Sequence, residues 1–281
     1  MSSIAIITDS TSYIPKEELE KYEISIVPLQ VIFGAESYRE GYDLDVDEFY
    51  KKLEHAKHLP TTSQPPVGEF VETYEKLSQQ ADHLISIHLS SGISGTYQSA
   101  KTAASMLSHI SIDVVDSEIA CYALGFMVVE AAKMAKEGRS REEILERVDY
   151  IRKTRRAYFL VEDLNHLYRG GRLTAAQMMV GNLLRIKPIL MFENKKIQPF
   201  EKIRTHRRAK ERIMGFFEED AKKGKPIRLS IIQANVYEEA KEWLEEIQNK
   251  YPHVDGNITP FGPVIGTHTG PGTIGITWYF V

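Results

Sequence analysis

The 281-residue chain has a single cysteine, Cys121, and no run of 18 consecutive apolar residues. One cysteine excludes an intrachain disulfide and a metal site built from several cysteines. Without a long apolar run the sequence offers no candidate membrane-spanning helix, and its first residues lack the basic and apolar segments of a secretory leader. We therefore expect a cytoplasmic protein in which Cys121 is a buried structural thiol.

An excess of positive charge is also absent. The chain has 35 Lys and Arg against 39 Asp and Glu, for a formal net charge of -4, with 42% hydrophobic and 26% charged residues. This composition is typical of a soluble globular protein without general affinity for nucleic acid. The length suits two domains of ordinary size.

Three nucleotide-binding or catalytic motifs are missing from the hydroxyl-rich segment "HLSSGISGTYQSA" at 88–100. No Gly-Lys-Ser/Thr follows it, it contains no G-x-G-x-x-G, and Gly95 comes one residue too early for G-x-S-x-G. What it does have is a Gly-Ser group that opens a helical pattern. Free amides and the helix dipole there favour an anion, phosphate or carboxylate, and a simple capped helix is the alternative interpretation.

The first half alternates β-rich runs with amphipathic helical patterns. The runs lie at 3–10, 23–33, 83–91 and 110–118, and helices are predicted at 15–22, 45–55, 67–80 and after 95. Such alternation predicts a mostly parallel, Rossmann-like α/β/α domain, here residues 1–156. The polar clusters at 8–11, 88–96 and 116–118 should then share the carboxyl edge of the sheet, where ligands bind.

The second half, residues 157–281, has runs at 157–161, 186–192, 227–234 and 274–280 with helices at 207–222 and 236–250. Residues 187–204 resemble a hairpin that turns at 193–195. These patterns predict an α+β domain with antiparallel strands. Two further loops are unusual: 58–70 has three prolines around Thr61, Thr62 and Ser63, and 261–276 has five glycines around His268.

Ordered motifs along the whole chain resemble the DegV family of bacterial fatty-acid-binding proteins: "TDST" at 8–11, "PTTSQPP" at 60–66, "SSGISGTYQSA" at 90–100, "LYRGGRL" at 167–173 and "GPVIGTHTGPG" at 262–272. The resemblance implies a long-chain fatty acid, such as palmitate or oleate, in an apolar tunnel between two α/β domains. It implies Thr62 and Ser94 as carboxylate ligands, flanked by Ser63, Gly95 and Thr96, with His268 as the matching histidine. Adjacent residues of an extended segment point to opposite sides, so Thr61 and Thr62 cannot both point inward. The resemblance assigns the inward position to Thr62, and the residues alone leave the order of the two open. No metal or cofactor is required.

We expect the tunnel wall to include flexible and apolar side chains of 178–192, since methionine adapts to a variable ligand. The candidates are Met178, Met179, Leu183, Leu184, Ile189, Met191 and Phe192. Some members of the family present their fatty acid to a kinase that forms an acyl phosphate. By that resemblance Arg169, Arg172 and Arg204 are expected outside the tunnel, on a docking surface for the kinase or near the transferring phosphoryl group.

Two other function classes remain open from the residues alone. A serine hydrolase would combine Ser94 with His268 and either Asp116 or Asp9 as a triad. A structural or signalling module would carry its lipid only incidentally. A structure can test the triad, because its serine, histidine and aspartate side chains must be connected by hydrogen bonds.

Overall fold

The computed structural model describes residues 3–174 and 187–281. In the first half, four strands form a parallel sheet in the order β2-β1-β6-β7, with bounds β1 (Ile4–Asp9), β2 (Ser25–Val27), β6 (His83–His88) and β7 (Ser111–Asp116). Helices α3 (Val67–Ser78) and α4 (Thr96–Met106) cover one face through Phe70, Tyr74, Ala100 and Ala103. The parallel, covered sheet that the alternating pattern predicts is therefore confirmed.

The run at 23–33, predicted as one strand, divides at Pro28 into strands of two different sheets. β2 joins the parallel sheet, while β3 (Gln30–Phe33) pairs antiparallel with β4 (Glu36–Arg39) and with β5 (Thr61–Ser63). Proline has no N–H to donate to a strand ladder, so the pairing is interrupted there. This small sheet holds the threonine loop as a strand, with Thr62 opposite Val31.

The second half forms a six-stranded sheet in the order β10-β9-β8-β13-β11-β12. The strands are β8 (Arg156–Leu160), β9 (Ile189–Glu193), β10 (Lys196–Glu201), β11 (Ile227–Gln233), β12 (Val254–Pro260) and β13 (Ile274–Phe280). All neighbouring pairs are antiparallel except β11 with β12, and the β9–β10 hairpin turns at Asn194 and Lys195 as predicted. Strand β12 was missed because Gly256, Asn257 and Pro260 are weak strand formers.

The other α-helices within residues 3–174 and 187–281 are α1 (Lys16–Lys21), α2 (Val46–Glu54), α5 (Tyr122–Lys136), α6 (Arg141–Thr154), α7 (Asn165–Arg169), α8 (His206–Ala221), α9 (Tyr237–Lys250) and α10 (Pro263–Thr269). Residues 122–132 of α5 are all buried, as expected for a helix that is apolar on every side. One apolar core joins Ile6 and Ile85 of the parallel sheet, Met127 of α5 and Tyr279 of β13. Helix α5 therefore lies between the two sheets.

A second apolar cluster lies on the outer face of the six-stranded sheet. There Ile213 and Phe217 of α8 and Trp243 of α9 pack against Leu229 and Trp278. Within residues 3–174 and 187–281, no helix is both long and apolar enough to cross a membrane. The layers are thus helices, parallel sheet, α5, mixed sheet and helices, which leaves the space between the sheets as the interior of the molecule.

Candidate functional site

An apolar cavity lies in this interior, with about 750 Å³ of space between its atoms, including the part that opens to solvent. Strands β8 and β13 form one wall through Ala157, Phe159, Gly275 and Ile276, and the loop before α5 forms another through Ile119, Ala120 and Cys121. Further apolar surface comes from Leu29, Leu89, Ile93, Phe192, Ile197, Phe261 and Ile265. Such a lining suits a long hydrocarbon chain better than a polar ligand.

Polar side chains gather where the cavity meets β5, α4 and α10. Thr62, Ser94, Arg172 and His268 all line it there. Thr62 Oγ1 lies 2.8 Å from His268 Nε2, which joins residues 206 positions apart in the chain. Thr61, by contrast, is exposed and absent from the wall, as the two-residue period of β5 requires.

The contacts of the His268 ring determine which nitrogen carries its proton. Burial, with smaller contributions from the charges of Arg172 and His166, lowers the pKa of His268 to about 3, so the ring is neutral near pH 7. Its Nδ1 has no hydrogen-bond partner among the described residues and packs against Gly170, where a Cβ would lie only 2.2 Å from that nitrogen. A buried N–H without an acceptor is costly, so Nδ1 is the unprotonated nitrogen.

It follows that His268 Nε2–H donates to Thr62 Oγ1. The hydroxyl hydrogen of Thr62 is then free to donate to a ligand in the cavity. The histidine thus orients the threonine, and the absence of a side chain at Gly170 makes room for the ring.

Ser94 stands at the start of α4. Its Oγ lies 2.9 Å from Thr96 Oγ1 and accepts a 3.3 Å hydrogen bond from the Thr96 amide. Gly95 packs against the Gln64 side chain so closely that a Cβ would lie 1.9 Å from Oε1. Gln64 also donates to Ser99 Oγ at 2.8 Å, which fixes the threonine loop against α4.

The other residues that the resemblance implied lie behind this wall. Ser63 Oγ donates to the Gln64 carbonyl at 3.2 Å, and Ser63, Gly95 and Thr96 do not line the cavity. Their contacts support the positions of Thr62 and Ser94. Sequence order alone does not distinguish a residue that faces a cavity from its neighbour in the same loop.

Arg172 corrects one of the predictions. It was expected on an outer surface with Arg169 and Arg204, but it is half-buried in the cavity wall. Its Nε donates to the Ile93 carbonyl at 3.0 Å and Nη1 to the Gly170 carbonyl at 2.6 Å, so backbone acceptors hold it inside. Burial lowers the pKa of Arg172. Arg169 and Arg204 are exposed, in agreement with their predicted placement.

Only one of the described wall candidates on β9 lines the cavity. Phe192 does, whereas Ile189 and Met191 pack in the cluster on the outer face of the sheet, because alternate residues of a strand face opposite sides. The expectation for Ile189 and Met191 is therefore wrong. The other candidates, Met178, Met179, Leu183 and Leu184, lie outside the described residues.

Cys121 is buried, as predicted, and it is one of the residues that line the cavity. Burial raises the pKa of the thiol well above its ordinary value. It is the residue before α5 and has a φ of 59°. This position places the chain's single cysteine at the cavity wall.

Glu40 is a buried structural residue that the sequence interpretation missed. Its carboxylate accepts hydrogen bonds from Ser10 Oγ at 2.5 Å, Tyr13 Oη at 3.0 Å and the Val264 amide at 2.7 Å. Burial raises the pKa of Glu40 to about 7, against the effect of these donors. Since Val264 begins the helix that carries His268, Glu40 fixes that helix to the first half of the chain. In the sequence Glu40 is an isolated glutamate after a short polar strand, and nothing there indicates that it is buried or that it contacts Val264.

The triad geometry of a serine hydrolase is not formed. His268 contacts Thr62 and has no carboxylate at Nδ1 among the described residues, while Asp116 accepts from Ser91 and Lys195. Asp9 is held elsewhere, by a 3.1 Å contact with His88 Nδ1. The proposed combination of Ser94, His268 and an aspartate is therefore wrong.

A different Ser-His-Asp chain does occur in the parallel sheet. Ser86 Oγ lies 2.6 Å from His88 Nε2, and Asp9 accepts at the other nitrogen and from the Leu89 amide. All three side chains have 0% exposure, so no substrate reaches them. These hydrogen bonds join the ends of β1 and β6.

The whole chain matches known proteins. A family model described as "Uncharacterised protein, DegV family" matches residues 3–281. Protein DegV of Bacillus subtilis is 52% identical over 279 residues, which is 99% of each chain. Its crystal structure, described as that of a fatty acid binding protein, has a TM-score of 0.96 over 100% of both chains. A fatty-acid-binding DegV family protein from Thermus thermophilus is 32% identical, with a TM-score of 0.92 over 99% of this chain and 100% of that one.

Proposed function

The chain belongs to the DegV family, and from that premise we propose that it binds a long-chain fatty acid in the cavity between its two sheets. The observation that carries the proposal is the polarity of the lining. The lining of this apolar space includes one group of polar side chains, Thr62, Ser94, Arg172 and His268. A fatty acid has the same division, with one anionic head on a hydrocarbon chain.

The head group needs donors because a buried, unpaired carboxylate costs several kcal/mol. Thr62 and Ser94 each offer a hydroxyl, and the orientation of His268 leaves the Thr62 hydrogen available to the ligand. Arg172 supplies a positive charge at the same end of the cavity. These donors fix which end of the ligand enters the polar region, while the hydrocarbon supplies most of the affinity.

Burial of about 15 methylenes, at ~0.8 kcal/mol each, gives an upper bound near ~12 kcal/mol before the costs of ordering. Loss of one head-group donor should therefore weaken binding without abolishing it. Ser94→Ala should cost about 1 to 3 kcal/mol of fatty-acid affinity, the range for a charged acceptor left short of a donor. Unchanged affinity would mean that Ser94 only caps α4.

The direct test is to identify what the purified protein carries. Denatured protein would be extracted with organic solvent and the released acids identified by mass spectrometry, and lipid-free protein would be titrated with palmitate and oleate. A protein that carries no acid and takes up neither would contradict the proposal.

The thiol of Cys121 gives a second readout inside the cavity. Because the chain has one cysteine and that residue lines the cavity, loading with palmitate should slow the reaction of lipid-free protein with methyl methanethiosulfonate. The same addition of a short acid such as acetate, which cannot fill the apolar space, is the control. Equal rates with palmitate and acetate would place the fatty acid elsewhere.

We further propose that the bound fatty acid is presented to a separate kinase for acyl phosphate formation. The support is the pair of exposed arginines, Arg169 and Arg204, in a chain of net charge -4. Arg169→Ala and Arg204→Ala should leave uptake within a few-fold of normal and reduce acyl phosphate trapped with hydroxylamine when a fatty-acid kinase is added. Arg172→Ala should reduce both, because Arg172 lines the cavity. Loss of uptake in the exposed-arginine variants would overturn the docking role.

A further inference from the structure

A second concavity, here called the cationic cleft, opens beside the fatty-acid cavity. Ile119, Ala157, Tyr158 and Phe192 line both spaces, so the two share an apolar wall. The cleft has about 750 Å³ of space between its atoms, including its open side. Its charged lining is strongly one-sided, with one carboxylate, Glu118, against Arg152, Lys153, Arg155, Arg156 and Lys195.

Four of the five cations have carboxylate partners, most of which lie outside the cleft. Arg152 and Lys153 pair with Asp149, and Arg152 also lies 3.5 Å from Glu118. Arg156 Nε lies 3.0 Å from Asp220, and Lys195 Nζ lies 2.9 Å from Asp116. These pairs hold the cationic groups around the cleft.

Arg155 is the exception. Among the described residues no carboxylate lies within ion-pair distance of its guanidinium, which donates to the carbonyls of Arg152 and Glu118. Its Nε is buried and has no acceptor in the described part of the chain. Burial, with Arg152 acting in the same direction, lowers the pKa of Arg155 to about 10, while the negative charges of Glu118 and Asp116 act to raise it. A buried guanidinium whose direct hydrogen-bond acceptors are neutral carbonyls is stabilised by an added anion.

We propose that the cationic cleft binds a small oxyanion with two or more negative charges, through the guanidinium groups of Arg152 and Arg155 and the ammonium of Lys195. A planar carboxylate and a tetrahedral phosphate each present a pair of oxygens that the guanidinium of arginine can bind with two N–H groups. The inference goes beyond fatty-acid binding and does not depend on it, because none of these charged residues lines the fatty-acid cavity.

The test is a titration at constant ionic strength, so that general screening is the same throughout. Pyrophosphate and citrate would be added separately to the wild-type chain, with 31P line broadening reporting pyrophosphate binding and calorimetry reporting both. We expect saturable binding of one stoichiometric anion. Tighter binding of pyrophosphate than of citrate would identify a phosphate-bearing ligand, and tighter binding of citrate would identify a carboxylate-bearing one.

Arg155→Gln and Arg152→Gln should each raise the dissociation constant about tenfold or more, as for loss of a charge-assisted hydrogen bond. Arg139→Gln is the matched control: Arg139 is an exposed arginine that pairs with Glu143 four residues away, outside the cleft. If Arg155→Gln unfolds, because its side chain also holds two carbonyls, Arg152→Gln decides. No saturable binding, or equal weakening by Arg139→Gln, would overturn the proposal.

Discussion

Replacing Glu40 with glutamine removes a buried titratable carboxyl group between the two halves of the chain, so the free energy of unfolding should lose part of its pH dependence. In the unfolded chain Glu40 titrates at the ordinary pKa of 4.5, and burial raises the pKa in the folded protein to about 7. Between these values the unfolded chain is ionised while the folded protein retains the proton. The stability contribution is therefore fully present below pH 4.5 and is lost as the pH rises through 7.

The difference between 4.5 and about 7, at 1.36 kcal/mol per pKa unit, corresponds to about 3 kcal/mol. Urea unfolding of the wild type and of Glu40→Gln would be measured at several values between pH 5 and 8. The stability of the wild type relative to the variant should fall by about 2 to 3 kcal/mol across that interval. In Glu40→Gln the new amide N–H groups face the donors of Ser10, Tyr13 and Val264, which lowers stability at every pH. The change of stability with pH still reports the titration of Glu40.

Asp43→Asn is the control carboxylate variant. Asp43 is exposed, and hydrogen bonds from Arg39 lower its pKa to about 2, so it is ionised in both states above pH 5. Its removal should leave the slope between pH 5 and 8 unchanged. Parallel stability curves for wild type and Glu40→Gln would refute the raised pKa and the buried-charge interpretation of Glu40.

Two further predictions concern the head-group region. Thr62→Ala should weaken fatty-acid binding by about 1 to 3 kcal/mol, whereas Thr61→Ala should change it little, because of these two residues only Thr62 lines the cavity. Titration of lipid-free protein measures both affinities. A larger loss in Thr61→Ala than in Thr62→Ala would refute the side-chain directions in β5. Gly170→Ala should also weaken binding, since its Cβ would lie 2.2 Å from His268 Nδ1 and must displace the ring. Gly215→Ala, where no atom lies within 4 Å of an added Cβ, should bind normally; equal affinity of both glycine variants would show that the position of the ring is unimportant.

Local periodicity accounts for the parts of the fold and the site that were predicted correctly. The parallel sheet follows from strands alternating with helices, and the two-residue period of an extended segment explains why only one of Thr61 and Thr62 lines the cavity. The β9–β10 hairpin follows from its turn at Asn194 and Lys195, both of which have positive φ. In each case the controlling interaction lies within a few residues along the chain.

The incorrect predictions concern interactions over long sequence distances. Arg172 is a charged residue in a Gly-rich motif, and its burial depends on the Ile93 carbonyl, 79 positions away. Ile189 and Met191 lie on the outer face because β9 pairs with β8 in a register that turns Phe192 inward. Residue type made Arg172 suitable for a surface and Ile189 and Met191 suitable for a tunnel wall. Which way each side chain faces is decided by distant contacts, the Ile93 carbonyl for Arg172 and the pairing of β9 with β8 for the other two.

His268 shows how such distant contacts also determine local structure. The segment 261–276 reads as a glycine-rich loop, yet Pro263–Thr269 is a helix. Proline at its first turn favours this start, and Glu40, 224 positions earlier, accepts the amide of Val264. A helix of seven residues is unstable alone, so the Glu40 contact and burial of all its residues must supply what local propensity does not. The orientation of His268 toward Thr62 is therefore a property of the packed protein, and a change at Glu40 should alter ligand affinity although Glu40 does not line the cavity.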